Sequence, residues 1–121
     1  MNRVLGATLA GAVALVAAAT GWAHAFLDHA SPAVGGAVAA SPPAVTLWFT
    51  QELEPAFSSL TVTNQAGQRV DLGNVQVPQG APAELQVGLR SLPPGTYTVS
   101  WHVVSVDTHR TEGRFEFTIG Q

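Results

Sequence analysis

An aspartate and a histidine stand two residues apart at the end of an apolar, β-branched run, Val103-Val104-Ser105-Val106-Asp107-Thr108-His109. In an extended chain, side chains two apart share a face. On that geometry Asp107 and His109 offer one metal ion a carboxylate oxygen and an imidazole nitrogen. A site needs at least one more donor, and the best candidate is His24, near the other end of the chain. Taken alone, an Asp-x-His at a strand end is more often turn chemistry or a surface pair than a ligand pair. The third donor changes that balance. Cu(II) favours imidazole nitrogen with carboxylate or water oxygen in a tetragonal plane. A histidine exposed as the first residue of a processed chain chelates one ion through its α-amine and its imidazole together. The amine must lose its proton to bind, and an ordinary pKa near ~8 makes that easy once metal competes. His24, Asp107 and His109 then supply three nitrogens and one oxygen. Such a set suits Cu(II) better than Zn(II), which prefers a tetrahedron, and far better than Cu(I), which prefers sulfur.

Composition removes several rivals. There is no cysteine, which excludes disulfides, zinc ribbons, thiolate copper sites and iron–sulfur clusters. The one methionine is Met1, so a Met-rich Cu(I) site is excluded as well. Lysine is absent and the formal charge is −3, leaving no basic patch for nucleic acid. No hydrolase nucleophile elbow and no phosphate-cradling glycine loop occurs. Of the other histidines, His29 is expected to face solvent. His102 falls opposite Trp101 and Val103, which suggests a surface or hydrogen-bonded role, and an accessory contribution from either stays open. Trp48, Trp101, Phe49, Phe115 and Phe117 are read as core aromatics rather than as a cofactor box. Asp28, Glu52, Glu54 and Glu112 are read as solvated.

The chain of 121 residues favours one domain. Residues 1–23 read as a secretory signal peptide, with Arg3, an uncharged run over 4–19, and small residues at Gly21 and Ala23. The run is shorter than the ~20 residues a spanning helix needs, and no later stretch is apolar enough to span. The processed product is therefore expected to be exported and soluble. Cleavage after Ala23 exposes His24, whereas the Ala-x-Ala pattern Ala23-His24-Ala25 would discard it. Signal rules alone leave both positions open.

Residues 24–121 form the expected folded domain, and they carry strand patterns rather than helix periods. A first short strand is expected over 24–29, and 33–43 reads as loop. Val45, Leu47 and Phe49 alternate with Thr46, Trp48 and Thr50. Leu60 and Val62 mark another strand, followed by the turn Asn64-Gln65-Ala66-Gly67 and a return over 69–72. Residues 73–82 read as loop or weak strand. Leu85, Val87 and Leu89 alternate with polar neighbours. After the turn Pro93-Pro94-Gly95, Tyr97, Val99, Trp101 and Val103 form the longest strand. Phe115, Phe117 and Ile119 form the last. About seven short strands in so short a chain predict an antiparallel β-sandwich.

The opening His24-Ala25-Phe26-Leu27-Asp28-His29-Ala30-Ser31-Pro32 resembles that of the CopC family of periplasmic copper-binding proteins. So do Val45-Thr46-Leu47-Trp48-Phe49-Thr50 and Leu92-Pro93-Pro94-Gly95-Thr96-Tyr97. The strongest likeness is Trp101-His102-Val103-Val104-Ser105-Val106-Asp107-Thr108-His109, followed by Gly113 and Phe115-Glu116-Phe117-Thr118. The resemblance covers nearly all of 24–121, in order. It implies a Greek-key sandwich of the immunoglobulin-like or cupredoxin-like kind that carries Cu(II) in the periplasm, for copper resistance or homeostasis. It implies ligation by His24, through amine and imidazole, with Asp107 and His109, and hence cleavage after Ala23. It also implies service beside a membrane copper transporter of the CopD type. The chain departs from the family pattern in lacking a Met-rich loop, in His102 where arginine is usual, and in Gln51 where glutamate is common. The expected role is carrier or buffer, not catalyst. Two rivals remain: a secreted copper oxygenase of the histidine-brace type, and an immunoglobulin-like interaction domain that binds no metal.

Overall fold

Period-two alternation of apolar residues is the main cause of the architecture. In the computed structural model, residues 26–120 are described. The expected leader over 1–23, its cleavage position and His24 lie outside them. Among the described residues seven strands run in chain order: β1 (Leu27–Ser31), β2 (Ala37–Val38), β3 (Ala44–Phe49), β4 (Ser59–Thr63), β5 (Glu84–Gly88), β6 (Gly95–Val104) and β7 (Arg110–Ile119). A 3-10 turn, Pro55–Phe57, precedes β4. The strands form two sheets, ordered β1-β3-β5 and β2-β7-β6-β4. Only the β6–β7 link joins neighbours within one sheet. Every other link among these strands crosses between sheets, which is Greek-key connectivity, and the chain is an all-β sandwich.

The inward residues of each strand meet in one core. They include Val45, Leu47 and Phe49 from β3, Leu60 and Val62 from β4, and Leu85 and Val87 from β5. Tyr97, Val99, Trp101 and Val103 come from β6, and Phe115, Phe117 and Ile119 from β7. Burying each such side chain stabilises the fold by about 1.5–3 kcal/mol before entropy is counted. Two polar devices pin the crossovers. Tyr97 donates its hydroxyl to the Pro93 carbonyl at 2.6 Å where the chain enters β6, the tyrosine corner of Greek-key sandwiches. The buried Asp71 accepts from the Val62 amide at 2.8 Å and from Arg69 Nη2 at 2.7 Å, tying 69–73 to β4.

The structure differs from the sequence reading in several places. Within 33–43, read as loop, β2 pairs with the end of β7, and this pairing is parallel. Two residues are too few to show a period. The return over 69–72 makes only isolated bridges, Thr63↔Arg69 and Asp71↔Leu89, because the Asp71 carboxylate takes the place of a ladder bond to Val62. Strand β7 starts at Arg110, since the polar residues 110–112 pair fully with β6. Trp48 is on the outer face of β3, half-buried, not in the core. There its ring stacks on His29 at 4.4 Å, with the planes 6° apart.

Candidate metal centre

Strands β6 and β7 pair over ten rungs, from Gly95↔Ile119 to Val104↔Arg110. The hairpin loop between them carries Asp107 and His109. The Ser105 amide donates to the His109 carbonyl at 2.9 Å, and the Thr108 amide to the Ser105 carbonyl at 2.8 Å. This is a three-residue hairpin loop, a class that ends on a residue with left-handed backbone. Thr108 fills that position, at φ +71°. A β-branched residue there is strained by about 1–3 kcal/mol, and such strain clusters at functional sites.

The extended geometry expected for 107–109 is therefore absent, yet the two side chains still meet. His109 Nδ1 is 3.2 Å from Asp107 Oδ1, with both side chains about half exposed. The loop curls the chain so that Asp107 and His109 face each other. The buried Ser105 hydroxyl donates to the same Asp107 oxygen. Its other acceptor, the His109 carbonyl, lies at 3.3 Å. A hydroxyl has one proton, and the charged acceptor takes it. Ser105 first, and then the His109 side chain, hold the Asp107 carboxyl below its ordinary pKa. Asp107 is thus anionic at neutral pH, as a metal ligand must be.

Residues 50–54 join this loop to the N-terminal edge of the sandwich. The Phe26 amide donates to Thr50 Oγ1 at 2.9 Å, and the Thr50 amide to the Phe26 carbonyl at 2.9 Å. The Val106 amide then donates to the Glu52 carbonyl at 3.0 Å, and the Glu54 amide to the Val104 carbonyl at 2.8 Å. Between those bonds Leu53 bridges Ser105. One short segment therefore grips Phe26 at one end and the hairpin loop at the other.

The remaining histidines have partners of their own. His29 Nδ1 is 2.7 Å from Asp28 Oδ2, on exposed side chains. His102 Nε2 is 3.1 Å from Glu112 Oε1, its partner across the β6–β7 ladder. Both face solvent, as expected. Among the described residues, no three His, Cys, Asp or Glu side chains gather closely enough to hold a metal ion. Asp107 and His109 thus make an oxygen–nitrogen pair, and a metal ion held there would need a further donor.

Sequence reasoning missed Ser105 and the segment 50–54. A signal for Ser105 existed: it takes the next inward step after Tyr97, Val99, Trp101 and Val103. A hydroxyl in an apolar row must find a partner. The segment 50–54 has no comparable signal, because its role depends on pairing with two distant parts of the chain.

Residues 27–120 match the CopC domain family. The chain is 41% identical over 99 residues to Protein YobA of Escherichia coli strain K12, covering 81% of this chain and 80% of that protein. It is similar to the crystal structure of CopC from Methylosinus trichosporium OB3b, with a TM-score of 0.75 and 38% identity, covering 79% of this chain and 93% of that one. It is also similar to PcoC, a methionine-rich copper resistance protein from Escherichia coli, with a TM-score of 0.70 and 34% identity, covering 80% of this chain and 99% of that one.

Proposed function

The chain belongs to the CopC family, and on that premise we propose that it is a periplasmic Cu(II)-binding protein, a carrier or buffer of copper rather than a catalyst. Copper is the cargo. The proposed ligands are His24, Asp107 and His109, with His24 made the first residue by removal of a leader over 1–23. It would bind through both its α-amine and its imidazole.

The observation that carries the reading is the meeting of Asp107 and His109 in a loop held to Phe26 through residues 50–54. His24 is two residues ahead of Phe26, an extended reach of about 7 Å. That length is of the same order as the span of the segment from Thr50 to Glu52. Donor chemistry supports the cupric state. The solved relative PcoC is described as methionine-rich, whereas here the one methionine is Met1. Nitrogen and oxygen donors remain, and these suit Cu(II). A membrane copper transporter of the CopD type is the proposed recipient or source of the ion.

The test is a competition titration of the exported protein with Cu(II), preceded by mass spectrometry of its N-terminus. One equivalent is expected to bind, with nitrogen hyperfine structure in the cupric EPR spectrum. Loss of a ligand should cost more than the roughly 10–100-fold that loss of a supporting partner costs. His109→Ala is thus expected to weaken binding by more than about 100-fold while the fold persists. A mature chain starting at Phe26, or an unchanged affinity in His109→Ala, would overturn the assignment.

A further inference from the structure

We propose that Ser105 is a positioning residue for the copper site, whose core-anchored hydroxyl holds the Asp107 carboxylate in the orientation that captures metal. This rests on the reading of Asp107 as a ligand. The argument begins with mobility. Asp107 sits in an exposed three-residue loop, and a half-exposed carboxylate there turns freely about two bonds unless something holds it. Freezing such a side chain on binding weakens affinity.

Ser105 is well placed to hold it. It is 0% exposed, one step beyond β6 in line with its inward row, and its backbone is fixed by the His109 carbonyl and by the bridge to Leu53. Its hydroxyl donates to Asp107 Oδ1, the oxygen that also faces His109 Nδ1. The constraint works both ways. The buried hydroxyl needs an acceptor, and the carboxylate supplies one from outside the core. Metal-binding carboxylates are commonly hydrogen-bonded by such partners, and their loss costs about 10–100-fold in metal affinity. Serine suits the position because it combines small volume with a proton to donate.

The inference is tested with Cu(II) as the probe on the exported protein. Ser105→Ala is expected to lower Cu(II) affinity by about 10–100-fold and to shift the cupric EPR parameters. Ser105→Val matches the shape of a threonine but has no hydroxyl to donate, is expected to behave like Ser105→Ala, and carries the test should the alanine variant not fold. Ser105→Thr keeps the hydroxyl and is expected to restore most of the affinity. In an Asp107→Ala background, removing the Ser105 hydroxyl is expected to change nothing further. Wild-type affinity and EPR in both Ser105→Ala and Ser105→Val, or a full additional loss in the Asp107→Ala background, would overturn the role of Ser105. If Asp107→Ala itself binds Cu(II) as tightly as wild type, the copper-ligand reading fails first, and the inference with it.

Discussion

Asp71 and Asp107 are both held as anions, but to different effect. Asp71 is buried, and it accepts from the Val62 and Gly73 amides and from Arg69 Nε and Nη2. Burial pushes its carboxyl upward. The Arg69 hydrogen bond, the Val62 amide, the Arg69 charge and the Gly73 amide together outweigh that and leave its pKa below the ordinary 3.8. A depressed folded pKa gives stability that is complete above the unfolded value. That stability is lost as pH falls through the folded value. Asp71→Ala is expected to cost about 1–3 kcal/mol at neutral pH, since it strands the Val62 amide. It is also expected to flatten the fall of stability below pH ~4. Urea unfolding at several acid pH values would check this, and a mutant with the wild-type acid slope would contradict it. Asp107 is exposed, so solvent screens its contacts and little stability follows. Its consequence is a charge ready for a cation.

The β6–β7 hairpin shows how an element positions a site and how much of that was readable. Its inward row, Tyr97 to Val103, followed from alternation alone. Alternation shows only the end of its partner strand, because Gly113 and the polar 110–112 carry no apolar period. Gly113 has a packing reason. A Cβ there would lie 2.6 Å from Trp101 Cζ2. The indole is itself wedged near Phe49 and Phe115, with centroids 6.1 and 6.2 Å away, so it has little room to yield. Gly113→Ala is expected to destabilise by about 1–3 kcal/mol, the usual penalty of overpacking. Pairing it with Trp101→Leu should cancel part of that loss, and simple additivity in denaturant unfolding would argue against the clash. Asp107 and His109 were expected together through a pleat, and they meet through a turn strained at Thr108. Residue identity carried the pairing, whereas the backbone route depended on a hydrogen-bond pattern that no local spacing announces. The same limit hid β2 and the segment 50–54, whose structure is set by distant partners.

At the scale of the whole molecule, the proposed site would join the N-terminus to a loop more than 80 positions away in the sequence. An ion bound only by the folded state stabilises it by mass action. The gain is about 4 kcal/mol when free ion stands at 1,000 times Kd. For a domain of roughly 100 residues each kcal/mol moves Tm by about 4–8 °C, so Cu(II) should raise Tm well beyond measurement error. Protons compete for the amine and the imidazoles. The increment in Tm is therefore expected to shrink between neutral and mildly acidic pH, where Asp107 stays ionised because its pKa is depressed. A variant processed to begin at Phe26 keeps the nitrogen and carbonyl that meet the Thr50 hydroxyl and amide but lacks the His24 donors. It is expected to retain the apo Tm and to lose most of the copper increment. Calorimetry of the two forms, with and without Cu(II), separates the possibilities. An equal increment in both would mean that copper is held by the hairpin side alone, and that the N-terminus contributes packing and no ligand.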